Sequence, residues 1–200
     1  MKSGFVAIVG RPNTGKSTLI NALVGQKVAI TSHHPNTTRH AIRGIVNGPE
    51  FQAVLVDTPG MHKPRTLLGR RLNEVVTDSL EGVDIVIMTF PANEKMGAGD
   101  EYILGIVKNS RAKKIAVVTK IDTVAKETLP VRLMEVGALT DWSEIVPVSA
   151  VKSLQVDVLS DLLSKHLPEG PQLYPADQKS DQTIEKLICE HIREAAIKGV

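Results

Sequence analysis

The sequence predicts one domain of the α/β class, a doubly wound fold whose sheet is mostly parallel with one antiparallel edge strand. Short, continuous apolar runs alternate with longer amphipathic stretches along most of the 200 residues. Continuous hydrophobicity indicates strands that helices cover on both faces, as in parallel sheets. The composition, with 42% apolar and 23% charged residues, is ordinary for a globular protein and excludes a disordered, collagen-like or coiled-coil chain.

The expected strands and helices follow one another in the order that such a fold requires. Strands are expected at residues 5–9, 42–46, 52–57, 84–90, 115–119 and 145–148. Helices are expected at residues 17–24, 67–80, 100–108, 125–136 and 154–166. Asn47 and Gly48 lie between the second and third strands and form a turn signal, which favours a hairpin there.

The alternating pattern ends after Leu167. Residues 169–182 are rich in proline and polar side chains and are expected to be a linker after a domain at 1–168. Residues 183–200 carry apolar side chains at helical spacing. A single amphipathic helix cannot bury its own apolar face, so this one either packs on the domain or begins a second domain.

Cysteine content, hydropathy and charge restrict the function classes. Cys189 is the single cysteine, which excludes a disulfide framework and a cysteine-based zinc site. No apolar run approaches the roughly 18 residues of a membrane span, and residues 10–12 interrupt the N-terminal run before it reaches signal-peptide length. These observations predict a soluble intracellular protein. Residues 1–80 carry a net charge of +6 and residues 81–200 one of −4, so an anionic ligand suits the first part.

Residues 10–17, G-R-P-N-T-G-K-S, satisfy the phosphate-loop pattern G-x-x-x-x-G-K-[ST] between an expected strand and an expected helix. The glycines let the backbone wrap around a phosphate with its N–H groups pointing inward, and the helix N-terminus adds partial positive charge. Lys16 can bridge the β- and γ-phosphates, and the Ser17 hydroxyl can bind Mg²⁺. The alternative is a glycine-rich turn without a ligand, which the flanking strand and helix disfavour.

Residues 57–60, D-T-P-G, follow the apolar run 53–56. Asp57 therefore comes at the carboxyl end of a buried strand, where it can hold magnesium through a water molecule. The Gly60 N–H can then meet the γ-phosphate. A helix cap or a turn former is the alternative interpretation of this aspartate.

Residues 119–122, T-K-I-D, end another buried strand and resemble the N-K-x-D guanine motif of GTPases, which implies a guanine site there. Guanine offers N1–H and the exocyclic amino group side by side, and one carboxylate accepts both, so Asp122 is the expected selector for guanine. The stem of Lys120 is expected to cover the ring. Thr119 stands where asparagine is usual, and a hydroxyl replaces only part of the hydrogen bonding of an amide. The Ala150 N–H, in V-S-A at residues 148–150, is placed to meet guanine O6.

Five segments, in this order and spacing, resemble those of the Era-like GTPases, a bacterial ribosome-assembly family within the translation-factor class. They are G-R-P-N-T-G-K-S at 10–17, N-T-T-R-H at 36–40, D-T-P-G at 57–60, T-K-I-D at 119–122 and V-S-A at 148–150. The resemblance spans about residues 3–198. It implies a P-loop NTPase fold of the Ras-like G-domain type and a Mg²⁺-dependent GTPase that switches between GTP-bound and GDP-bound forms.

The resemblance also implies particular site residues. Those expected to bind GTP are Gly10, Arg11, Pro12, Asn13, Thr14, Gly15, Lys16, Ser17, Thr18, Asp57, Gly60, Thr119, Lys120, Asp122, Ser149 and Ala150. The expected catalytic residues are Lys16, Thr38 and Gly60. The expected Mg²⁺ ligands are Ser17, Thr38 and Asp57, with Thr37 as the near alternative to Thr38. Switch segments are expected at 30–43 and 60–71, and the histidines His33, His34 and His40 are interpreted as solvated loop residues.

One position departs from the Ras-like pattern and bears on hydrolysis. Met61 follows Gly60, where Ras-like enzymes place a glutamine that orients the attacking water. A thioether cannot do so, and hydrolysis must then rely on phosphate electrostatics, backbone groups and a supplied cation. Asn13 matches the asparagine of relatives that use K⁺ in place of an arginine finger; a turn-forming asparagine is the alternative. Solvated side chains are expected for Arg11, Arg39, Arg65, Arg70 and Arg71.

The output is implied by the resemblance alone. Era-like proteins continue into an RNA-binding KH domain with a G-x-x-G loop, which these residues lack, so the chain is expected to be a fragment whose last helix begins that domain. The intact protein is expected to bind small-subunit ribosomal RNA during subunit assembly in the cytoplasm, with peripheral association at the inner face of the cell membrane left open. Two rivals are GTPase domains from tRNA-modification or metal-transport proteins and a nucleotide-binding scaffold without turnover.

Overall fold

The structure is a computed structural model that describes residues 1–31, 42–58 and 80–198. Its strands are β1 (Lys2–Val9), β2 (Ile42–Asn47), β3 (Phe51–Asp57), β4 (Ile85–Pro91), β5 (Lys113–Thr119) and β6 (Glu144–Pro147). Its helices are α1 (Lys16–Val24), α2 (Ala98–Asn109), α3 (Leu129–Gly137), α4 (Val156–His166) and α5 (Ile184–Lys198), with a 3₁₀ turn at Ile121–Thr123.

The six strands form one sheet in the order β2-β3-β1-β4-β5-β6. β1 pairs in parallel with β3 and β4, and β5 pairs in parallel with β4 and β6. β2 runs antiparallel to β3, with Ile45 opposite Val54. The predicted doubly wound fold with one antiparallel edge strand is therefore confirmed. The predicted hairpin is confirmed as well, since the Gly48 N–H donates a 2.9 Å hydrogen bond to the Phe51 carbonyl.

Helices cover both faces of the sheet, which explains the continuous apolar runs. On β1, Val6 and Ile8 point into a core completed by residues of α1 and α4. Ala7 and Val9 point into a second core completed by residues of α2 and α3. Every residue of β3 and β4 is buried, as is β1 from Val6 to Val9, so alternation of polar and apolar residues is absent from the central strands.

Two helices begin later than the sequence predicts. The helix expected from residue 125 begins at Leu129, because the Thr128 hydroxyl donates to the Ala125 carbonyl at 2.8 Å and closes a turn before it. The helix expected from residue 154 begins at Val156, because Leu154 exchanges two backbone hydrogen bonds of 3.1 and 2.9 Å with Ser149. The helix expected at 67–80 lies outside the described residues except for its last position.

The predicted linker, residues 169–182, packs along the sheet edge. Its anchor is Gln52 of β3, a fully buried side chain. The side-chain oxygen Oε1 of Gln52 accepts hydrogen bonds of 2.8 Å from two linker N–H groups, and its side-chain nitrogen Nε2 donates to the Tyr174 carbonyl at 2.8 Å. Further along, the Ile45 N–H of the edge strand donates to the Lys179 carbonyl at 2.9 Å. The Gln52 bonds satisfy backbone groups of the linker, and the Ile45 bond satisfies a group that an open edge would leave to solvent or to another chain.

The C-terminal helix α5 contacts the segment that follows α1. Glu194 is only 3% exposed. Its carboxylate lies 2.5 Å from the Lys27 ammonium and accepts a 3.3 Å hydrogen bond from the Thr31 hydroxyl. The division into a domain, a linker and the first helix of a second domain stays a prediction. Within the described ranges, no helix combines the length and the apolar character that crossing a bilayer requires.

Candidate nucleotide-binding site

The described members of the predicted site gather where parallel strands end. The loop of residues 10–15 follows β1, Asp57 ends β3, Thr119 ends β5, and Ser149 lies two residues beyond β6. Carboxyl ends of parallel strands share one edge of the sheet, so residues that are far apart in sequence meet there. The strand order brings the phosphate-loop motif between the predicted magnesium and guanine motifs.

Close packing fixes the phosphate loop. A Cβ atom on Gly10 would lie 2.2 Å from Thr89 Oγ1 and 2.8 Å from Thr14 Oγ1, so a side chain at position 10 does not fit. The Thr14 and Thr89 hydroxyls lie 2.7 Å apart in a buried hydrogen bond. Gly15 has a φ of 93°, a left-handed conformation that glycine adopts without strain, and it caps α1. Both glycines of the motif are therefore required by geometry.

Lys16 is buried against the loop that it follows. Its ammonium donates to the Gly10 carbonyl at 3.1 Å and to the Arg11 carbonyl at 2.8 Å. Burial lowers the pKa of Lys16 to about 8, although the nearby Asp57 carboxylate opposes the shift. An ammonium held by loop carbonyls at the start of a helix is suited to the charge of a polyphosphate.

Ser17 and Asp57 join the phosphate loop to β3. The Ser17 hydroxyl donates a 2.9 Å hydrogen bond to Asp57 Oδ2, and Asp57 is fully buried. A hydroxyl oxygen next to a carboxylate oxygen is a donor set of the hard type that Mg²⁺ prefers, so these residues fit magnesium. The two oxygens meet although Ser17 belongs to α1 and Asp57 ends β3.

Thr119 is linked directly to the phosphate loop. Its hydroxyl donates a buried 2.7 Å hydrogen bond to the Thr14 carbonyl, and the residue is only 4% exposed. The Thr119 hydroxyl therefore bonds the predicted guanine motif directly to the predicted phosphate motif. The following residue, Lys120, has a φ of 58° and turns the chain into the 3₁₀ turn that carries Asp122.

Asp122 is held in place by Ser149. The Ser149 hydroxyl, fully buried, donates a 2.5 Å hydrogen bond to Asp122 Oδ1 and accepts one of 3.2 Å from the Lys152 N–H. The carboxylate itself is exposed, which leaves it accessible to a base. Ala150 follows Ser149 directly, so the predicted guanine residues of two strands are brought together.

Sequence analysis missed the surroundings of Arg11. The guanidinium was expected in solvent, but Arg11 Nε lies 2.8 Å from the buried Asp100 carboxylate and Arg11 Nη2 lies 3.2 Å from Glu94. That expectation is wrong, because the β4–α2 segment folds over the phosphate loop. No spacing in the sequence signals this contact. The glycine at position 99 is consistent with the contact, since a Cβ atom there would lie 2.8 Å from Arg11 Cδ.

The remaining predicted residues fall outside the described ranges. They are Thr37, Thr38, Gly60, Met61, the histidines at 33, 34 and 40, and the arginines at 39, 65, 70 and 71. Most of the two predicted switch segments lies there too. The roles proposed for these residues stay predictions, as do those of the described site residues.

Comparison with known proteins gives consistent matches. Residues 5–120 match the family described as 50S ribosome-binding GTPase. GTPase Era of Corynebacterium diphtheriae is 53% identical over 202 residues, an alignment that covers all of this chain and 66% of that protein. The chain thus spans about two thirds of the length of the relatives it matches.

Solved structures agree with the sequence matches. A variant of Era from Aquifex aeolicus bound to GDP and AlF4⁻ superposes with a TM-score of 0.92 at 38% identity, covering 98% of this chain and 67% of that one. Era in complex with MgGDPNP and nucleotides 1506–1542 of 16S ribosomal RNA gives a TM-score of 0.93 at 38% identity, with the same coverage. The two nucleotide-bound proteins therefore share the arrangement of elements described above.

Proposed function

The chain belongs to the Era family of GTPases, and from this premise we propose that the site at the carboxyl ends of the sheet binds GTP with Mg²⁺ and hydrolyses it to GDP and phosphate. The observation that carries the proposal is the meeting of three motifs at one sheet edge. Lys16 and Ser17 lie in the phosphate loop, Ser17 is bonded to Asp57, and Thr119 is bonded to Thr14.

The phosphate groups are the proposed ligand of the loop. The N–H groups at the start of α1 surround the β-phosphate, and the Lys16 ammonium moves from two carbonyls to the β- and γ-phosphates. Ser17 and Asp57, which lie within hydrogen-bond distance of each other, would hold Mg²⁺, with Thr38 as the proposed third residue. When bound, the metal supplies Lewis-acid stabilisation of charge between the β- and γ-phosphates.

The proposed selector for guanine is Asp122. Its carboxylate, oriented by Ser149, accepts N1–H and the exocyclic amino group of the base. The stem of Lys120 covers the ring, and the Ala150 N–H donates to O6. A site built to hydrogen-bond both guanine donors leaves polar groups unpaired when adenine binds, which is the basis of discrimination.

Hydrolysis requires water to attack the γ-phosphorus while charge accumulates on the bridging oxygen. Met61 does not orient water, so we assign the main contribution to backbone N–H groups, Lys16 and cations. We propose that K⁺ binds beside the phosphates through Asn13, supplying positive charge where other enzymes use an arginine. The support for this role is the family resemblance, since the φ of 63° at Asn13 is a turn conformation that asparagine adopts readily and fits the turn-forming alternative equally well.

The biological output is a further proposal. One solved Era structure contains 16S ribosomal RNA together with MgGDPNP. By analogy, the intact protein uses nucleotide state to control binding to small-subunit ribosomal RNA during subunit assembly, through a domain that α5 begins. A cytoplasmic location fits this proposal; peripheral membrane association has no support among the observations.

The test is single-turnover GTP hydrolysis with matched variants. Lys16→Ala and Ser17→Ala are expected to lower the rate at least about 100-fold, the size of losing one electrostatic contact in a site of this type. Lys108→Ala and Ser164→Ala change the same residue types on α2 and α4 and are expected to keep the parent rate. Circular dichroism verifies the fold of each variant.

The same experiment addresses a nucleotide-binding scaffold without turnover. If the parent chain binds GTP with micromolar or better affinity but shows no hydrolysis in a single turnover, the scaffold is correct and the enzymatic proposal is wrong. If Lys16→Ala hydrolyses GTP at the parent rate with a normal fold, the assignment of the phosphate loop is wrong.

A further inference from the structure

The segment between β4 and α2 contacts both halves of the proposed nucleotide site. The Ala92 N–H donates a 2.8 Å hydrogen bond to the Thr119 carbonyl, at the start of the guanine motif. Two residues later, Glu94 reaches the phosphate loop and the guanine motif at once. Its Oε2 lies 3.2 Å from Arg11 Nη2, and its Oε1 lies 3.6 Å from the Lys120 ammonium.

The far side of Arg11 is fixed independently of Glu94. Arg11 Nε lies 2.8 Å from the carboxylate of Asp100, a residue that is 1% exposed. The same Asp100 carboxylate accepts a 3.0 Å hydrogen bond from the Gly97 N–H and caps α2. Arg11 is therefore a rigid support, while Lys120 is a long side chain whose position depends on its single described ion-pair partner.

We propose that Glu94 is a positioning residue that couples the two halves of the site, holding the Lys120 side chain toward the phosphate loop so that its stem is already extended over the guanine position. This inference rests on the proposed function. A lysine loses much rotamer freedom when it covers a base, and a lysine that is already oriented loses less on binding. The carboxylate thereby favours guanine nucleotides without contacting them.

The geometry leads to three consequences. The base is common to GDP and GTP, so loss of the Glu94 carboxylate weakens both by the same factor. The pairs are partly exposed, with Glu94 at 42% and Lys120 at 33% side-chain exposure, so the factor is modest and falls at high salt. Substitutions of Arg11 and Lys120 are non-additive only while the carboxylate joins them.

The test measures dissociation constants of GDP and of a non-hydrolysable GTP analogue for the parent, Glu94→Gln and the control Glu101→Gln, an exposed glutamate near the start of α2. Glu94→Gln is expected to raise both constants by the same factor, roughly two- to fivefold, at about 0.05 M salt, and by less at about 0.5 M. Glu101→Gln is expected to match the parent. Equal constants for Glu94→Gln and Glu101→Gln overturn the inference, as does a change confined to the GTP analogue.

A double-mutant cycle separates positioning from general structure. Arg11→Gln and Lys120→Gln are combined in the parent and in the Glu94→Gln background. In the parent, the effects of the two substitutions on the GDP dissociation constant are expected to be non-additive. In the Glu94→Gln background they are expected to be additive, and non-additivity of equal size in both backgrounds overturns the inference. Failure of the proposed function looks different, because the parent chain would then not bind guanine nucleotides at all.

Discussion

The hydroxyl of Thr119 donates a buried 2.7 Å hydrogen bond to the carbonyl oxygen of Thr14, across 105 residues of sequence. It ties the end of β5 to the phosphate loop at the point where base and phosphates would meet. Asparagine, usual at this position, has both a donor and an acceptor. The hydroxyl of threonine can also donate and accept, but it carries one hydrogen where the amide carries two, and here that hydrogen is used on the Thr14 carbonyl.

Thr119→Val tests the energetic weight of this bond. Valine has the shape of threonine but leaves the buried Thr14 carbonyl without this donor, so the free energy of unfolding is expected to fall by about 1–3 kcal/mol. Urea denaturation without nucleotide measures the loss. Thr119→Ser keeps the hydroxyl and serves as the control, with less than half of that loss expected. A Thr119→Val protein as stable as the parent would contradict the assigned role.

Asp122→Asn tests the selector for guanine. Ser149 donates to one oxygen of this side chain, and an asparagine that keeps this bond turns its amino group toward the base. That group repels the guanine amino group and suits the C2 carbonyl of xanthine. Titration is expected to show a loss of about 3 kcal/mol or more in GDP binding and a gain for XDP. Asp141→Asn, at an exposed loop position, is the control and is expected to bind GDP like the parent. Undiminished GDP affinity in Asp122→Asn would show that Asp122 is not the selector for guanine.

The pKa of Lys16 predicts proton uptake on nucleotide binding. Burial lowers this pKa to about 8 in the nucleotide-free chain, whereas neighbouring phosphates raise it again. At a pH between the pKa of Lys16 in the free protein and its higher pKa in the complex, Lys16 is largely neutral before binding and charged after it. Nucleotide binding therefore takes up a proton at a pH above about 8. GDP affinity is expected to fall about fourfold between pH 7 and pH 8.5. Calorimetry in buffers of different ionisation enthalpy counts the protons, and zero uptake at pH 8.5 would contradict the expectation.

The sequence predicted the fold because its signals are local. Continuous apolar runs, one turn dipeptide and the phosphate-loop pattern each depend on a few neighbouring residues, and parallel pairing then brings the strand ends together. Asp57 and Ser149 could be placed at the site from this logic alone. Helix starts at Leu129 and Val156 differ from the expectation, because turn and bridge hydrogen bonds compete with the first helical turn.

Long-range polar contacts escaped sequence reasoning. In the sequence Gln52 is an ordinary strand residue, yet its side chain is hydrogen-bonded to the backbone of a segment more than 120 positions later. Arg11 reads as a loop arginine, yet Asp100 and Glu94 pair with it. Such contacts depend on where a loop passes over the sheet, and neither hydrophobic period nor motif spacing contains that information.

Potassium dependence tests the remaining part of the proposed mechanism. Replacing Na⁺ by K⁺ at constant ionic strength, which removes general screening as a cause, is expected to raise the single-turnover rate of GTP hydrolysis. The side-chain oxygen of Asn13 is the proposed ligand, so Asn13→Ala is expected to abolish the difference between the two salts. Position 13 has a φ of 63°, and alanine is strained there, so Asn13→Gly provides a variant that lacks the oxygen but keeps the backbone conformation. Both variants should hydrolyse GTP equally in Na⁺ and K⁺. Equal rates for the parent in the two salts at saturating GTP would show that the positive charge comes from elsewhere, such as a bound RNA or protein activator.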